Sequence, residues 1–81
     1  MQSEANTQNP TTPDPAVAAL LRVRDELDAA RARYEAKAAE AHGSLMAYYA
    51  DLASGMREAI ARVDIEIRFI QDENDRARLG L

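Results

Sequence analysis

The chain has no cysteine and no tryptophan, one phenylalanine, three prolines, three glycines, and a single lysine beside nine arginines. Without thiols there is no disulfide framework, no thiolate metal site and no cysteine nucleophile. No run approaches the roughly 20 uninterrupted apolar residues that span a membrane. Residues Met1 to Pro15 hold neither the basic cluster nor the apolar stretch of a secretion signal. The sequence therefore predicts a soluble, cytoplasmic protein with no membrane partner. Its glycines stand far apart, so no phosphate-cradling loop is expected and no cofactor or small-molecule substrate is implied.

An excess of positive charge is also missing. Ten basic residues against fourteen acidic ones give a net charge of −4. The basic residues are spread evenly, five in residues 16–42 and five in residues 43–81. A phosphate backbone would be repelled by such a surface, so nucleic acid is not an expected partner.

What the 81 residues do contain is alanine, seventeen of the hydrophobic 47%. Setting aside Met1, Leu79 and Leu81 at the ends, eighteen larger apolar side chains remain to build a core. That is thin for a chain that folds alone. Alanine at this density with few aromatics predicts an all-α protein, and arginine in place of lysine is the bias of a high-GC bacterial genome.

Residues 1–13, MQSEANTQNPTTP, offer nothing that anchors a core and read as a disordered tail. Order is expected from Asp14-Pro15: the residue before a proline avoids helical dihedrals, and proline at the first helical position sacrifices no hydrogen bond. Asp14 is the expected N-cap. Gly80, after Arg76 and Arg78, is the expected stop.

Between these ends two apolar seams run in steps of three and four. The first is Ala16, Leu20, Val23, Leu27, Ala30, Tyr34, Lys37, Ala41. The second is Met46, Tyr49, Ala53, Met56, Ile60, Val63, Ile67, Ile70. Neither continues into the other, and the break contains Gly43-Ser44. Glycine accepts the left-handed conformation and serine caps a following helix, so the turn is placed at 43–44, between helices 15–42 and 45–79. The predicted fold is an antiparallel, coiled-coil-like two-helix hairpin spanning 14–80, completed by oligomerisation or by a partner.

Folding at that turn brings Tyr34 to Ala53, Leu27 to Ile60, Val23 to Val63 and Leu20 to Ile67, with large residues facing small ones near the turn. One continuous helix is the rival, because two antiparallel copies would make the same pairs; the helix-interior cost of Gly43 and Gly55, about 1 kcal/mol each, disfavours it. A second conflict is local. Val63-Asp-Ile65-Glu-Ile67-Arg-Phe69 alternates like a strand, yet Glu58/Arg62, Asp64/Arg68 and Asp72/Arg76 each place an acid four residues before its base, as a helix prefers.

Candidate chemistry is sparse. His42 has no carboxylate or serine placed for a relay, and a di-metal bundle requires Glu-x-x-His where this chain has Ala39. A capping or surface role is expected of it. The carboxylates lie amid basic neighbours, as on a solvated helix face, and two packed helices offer no cleft to desolvate them. Tyr34 and Tyr49 fall on the seams and read as core. The chain is not expected to be an enzyme.

The surplus is apolar surface. At about 100° per residue, Ile65 and Phe69 project away from Ile60, Val63 and Ile67 on the same helix. Leu45, Tyr48 and Leu52 form a flanking stripe, and Leu21 lies off the first seam. These six are the expected partner-binding residues, since apolar side chains repeated at helical spacing mark contact surfaces. The leading expectation is a helical protein–protein interaction module, an adaptor, assembly factor or chaperone-like subunit. The alternatives are a homo-oligomeric self-assembly element and, on net charge alone, an acidic inhibitor of a nucleic-acid enzyme. In outline the hairpin from Leu20 to Ile70, with the string Met56-Arg-Glu-Ala-Ile60-Ala, resembles the small co-chaperones of type III secretion needle subunits. The likeness is one of shape and implies a role for no particular residue.

Overall fold

A computed structural model describes residues 14–80. They form two helices, α1 (Pro15–Glu40) and α2 (Gly43–Leu79). The fold is an all-α helical hairpin. Cross-helix contacts show that it is antiparallel: Asp14 meets Asn74, Arg24 meets Asp64 and Tyr34 meets Tyr49. A continuous helix is thereby set aside, and residues 63–69 are helical despite their alternation. The expected tail, 1–13, lies outside the described residues.

The start of α1 follows from Asp14-Pro15. The Asp14 carboxylate accepts a 2.7 Å hydrogen bond from the Ala16 amide, and its carbonyl accepts from Ala18 at 2.8 Å. The first contact satisfies an orphan amide of the first turn, and the second is the first intrahelical bond. At the far end Gly80 is left-handed, φ 77°, and its amide reaches the carbonyls of Ala77 and Arg76. This closes α2 after Arg76 and Arg78, whose charge suits a helix C-terminus.

The turn lies earlier than 43–44. Helix α1 stops at Glu40, Ala41 and His42 are extended, and α2 already includes Gly43 and Ser44. Gly43 does take the left-handed conformation, φ 62°, but it does so as the first residue of α2. Two extended residues followed by one left-handed glycine reverse the chain, so Ser44 is not needed as a cap. His42 occupies the N-cap position and makes no capping hydrogen bond through its side chain.

The packing is one layer deep. Among the described residues the two helices lie side by side, and no third element covers either broad side. Among the described residues only Val17, Ala53 and Ile67 are buried. From Tyr49 to Ile70 the second seam turns inward as expected, but Met46, at its start, is 47% exposed.

The first seam needs correction. Ala16, Val23 and Lys37 are exposed, whereas Val17, Leu21, Arg24 and Arg31 are covered or half-covered beside Leu20, Leu27 and Tyr34. Leu20, Leu27 and Tyr34 keep their place, and the helix is rotated by about half a residue, roughly 50°, from the apolar reading. Arginine accounts for it: the side chains of Arg24 and Arg31 lay their stems along the interface and carry their charge to its edge. There Arg24 pairs with Asp64 at 2.9 Å, and Arg31 pairs with Asp28 at 3.0 Å and Glu35 at 2.6 Å.

Candidate functional site

Helical geometry decides where the six expected partner-binding residues fall. Ile65 and Phe69 stand one turn apart on the side of α2 away from α1 and are 68% and 60% exposed. Leu45 and Tyr48, in the first two turns of α2, are 51% and 58% exposed. Leu21 and Leu52 differ. Both are half-buried, Leu21 because the rotation of α1 carries it toward α2, Leu52 because it neighbours Ala53 and Met56 on the inner side. They border the helix interface, so the expected set of six divides into four exposed side chains and two partly covered ones.

The aromatic cluster lies near the turn. The rings of Tyr34 and Tyr49 stack with centroids 6.2 Å apart, and Tyr48 tilts against Tyr49 at 5.6 Å. The Tyr34 ring thus reaches Tyr49, one turn closer to the chain reversal than the Ala53 expected to face it. The Lys37 ammonium sits 5.8 Å from the centre of the Tyr49 ring, a cation–π contact that holds its stem against the cluster. An open groove beside it is lined by Lys37, Glu40, Ala41, Leu45 and Tyr49.

Charge is arranged on one broad side of the helix pair. Arg24 reaches Asp64 and Arg57 reaches Glu35, at 2.9 and 3.0 Å, both across the interface. The hydrogen bond to Asp64, then its charge, raises the Arg24 pKa; for Arg31 the hydrogen bonds to Asp28 and then Glu35 do the same. A second open groove, lined by Arg24, Asp25, Asp28, Ile60 and Asp64, lies on this side. At the open end the Asn74 amide donates to Asp14 at 2.9 Å and, with the Ala16 amide, holds that carboxylate below the usual range.

Among the described residues, no cluster of three or more His, Asp or Glu is placed to hold a metal ion, and no helix is long and apolar enough to cross a membrane. Sequence reasoning missed the exposure of Val23 and Met46, 42% and 47%. The signal for Val23 was present: it follows Ala16 by seven residues and precedes Ala30 by seven, on a column beside the one holding Arg24 and Arg31. Compared with protein-family profiles, with curated proteins and with solved structures, the chain gives no match.

Proposed function

We propose that the protein is a non-enzymatic interaction module, an adaptor, assembly factor or chaperone-like subunit, that offers an apolar helix edge to another protein. The observation that carries this reading is the pair Ile65 and Phe69, 68% and 60% exposed one turn apart on the outer side of α2. Neither can be covered by α1, which packs on the opposite side of the same helix. Two large apolar side chains at i and i+4 are the spacing by which a helix enters an apolar groove, and such anchors dominate interface energies. Their flanks suit an interface rim: Arg62, Arg68 and Asp72 surround them with charge of both signs.

The test uses the wild-type chain and the double variant Ile65→Gln/Phe69→Gln as immobilised baits. The protein retained by the wild type is identified by mass spectrometry, purified and titrated against both. The variant should remain helical and bind at least about tenfold more weakly. Equal affinity, or no protein retained selectively by the wild type, would remove the reading.

A further inference from the structure

The two broad sides of the hairpin are not alike. On one, Asp64 and Arg57 of α2 reach across to Arg24 and Glu35 of α1. The other is read from two columns of seven-residue spacing, the coiled-coil repeat. On α1 the column is Ala16, Val23, Ala30 and Lys37; on α2 it is Leu45, Leu52, Ala59 and Glu66. In an antiparallel pair these two columns flank the interface on the same side, opposite the ion pairs.

Each column is apolar for three positions before its first charge, and those first charges are opposite; the α2 column then carries a second acid, Glu73, at the open end. Among the described residues neither Lys37 nor Glu66 has an ion-pair partner within 4 Å. The contacts Asp14–Asn74 and Arg24–Asp64 fix the register and set Ala30 level with Ala59, to within a residue. Lys37 then lies one heptad, about 10 Å, toward the turn from that level. Glu66 lies the same distance toward the open end.

The geometry points to a second copy of this chain stacked on this side, with the two turns at opposite ends and a two-fold axis at the Ala30–Ala59 level. The axis brings Lys37 of each copy level with Glu66 of the other, so both charges are answered, twice. The smallest side chains lie at the centre, where the helices come closest. The Leu45–Leu52 end of one copy covers the Val23 end of the other. Stacking with both turns at the same end would instead leave Lys37 and Glu66 two heptads apart, about 20 Å, and pair neither. The result is an isologous four-helix bundle built from two single layers of two helices each. This goes beyond the interaction module proposed above: it uses the broad side and leaves the Ile65–Phe69 edge free.

Sedimentation equilibrium of the full chain tests it. The wild type should be a dimer. Lys37→Glu or Glu66→Lys alone should weaken dimerisation by about tenfold or more, since each sets two like-charge contacts in place of two attractive ones. The combined reversal should recover most of the loss. Ala30→Cys, in a chain with no other cysteine, should cross-link to its own copy on mild oxidation, because only opposed turns place α1 against α1. A monomer at every concentration, single reversals without effect, or no cross-link overturns the proposal. So does a monomeric Ile65→Gln/Phe69→Gln variant, which would move self-association to the outer edge. Should a charge reversal lower the helical signal, the cross-link decides. The partner titration above reads the other site, so either reading can fail without the other.

Discussion

Ile65 and Ile67 are chemically identical and two residues apart, and alanine at each position should separate them sharply. Ile67 is 7% exposed, against α1; Ile65 is 68% exposed, on the far side of α2. Truncating a buried isoleucine costs about 2–5 kcal/mol. In a layer one helix thick the neighbours collapse readily into the gap, so about 2–3 kcal/mol is expected for Ile67→Ala. In a domain of this size that corresponds to roughly 10–20 °C in Tm. At Ile65 only about a third of the side chain is covered, and the lost burial, about 0.5–1 kcal/mol, is offset by about 0.4 kcal/mol of better helix propensity. Ile65→Ala should therefore lie within about 0.5 kcal/mol of wild type. Urea melts followed by helical ellipticity, at one protein concentration, measure both. A period-two arrangement of 63–69 would put the two side chains on one face and make the losses equal. Equal losses, or a larger one at Ile65, would refute the helical placement of this segment.

Two further outcomes follow from the turn and the open end. Gly43→Val should destabilise by about 1–2 kcal/mol, because a β-branched residue is strained at φ 62°. Gly55→Ala should stabilise by up to about 1 kcal/mol, since a Cβ there meets no atom within 4 Å; thermal melts compare the two directly. Asp14, held below the usual carboxylate range by Asn74 and the Ala16 amide, stabilises the fold fully above the pKa of the unfolded carboxylate. That contribution is lost as pH falls through its folded value. Melting temperatures taken from neutral pH to about pH 2 should accordingly show a shallower acid limb for Asn74→Ala than for the wild type.

The fold was legible because its signals agree. Asp14-Pro15, Gly43 and Gly80 mark three of the four helix ends, and the second seam is continuous from Tyr49 to Ile70. The first seam misled because an apolar rule rejects arginine from an interface. Arg24 and Arg31 enter it nonetheless, since Asp64, Asp28 and Glu35 receive their charges at its edge. The same rotation accounts for the candidate surface. Leu21, read as outward, is half-covered, and Val23, read as inward, is exposed. Ile65 and Phe69 were legible because they belong to α2, whose inner seam from Tyr49 to Ile70 holds no charged residue. The turn was misplaced because Gly43 was assigned to the end of one helix and serves the beginning of the next.

The distribution of burial along the hairpin also shapes how it forms. Two of the three buried residues, Val17 and Ile67, belong to its open half, while Leu45, Met46 and Tyr48 beside the turn remain exposed. Zipping outward from the turn is met first by the Tyr34, Tyr48 and Tyr49 contacts and by the small Ala53, not by a large buried aliphatic side chain. Burial of the two large aliphatic side chains arrives only when segments separated by roughly fifty residues of chain come together, and each doubling of the closed loop adds about 0.6 kcal/mol. Such a hairpin folds with a larger entropic barrier than its simple topology suggests.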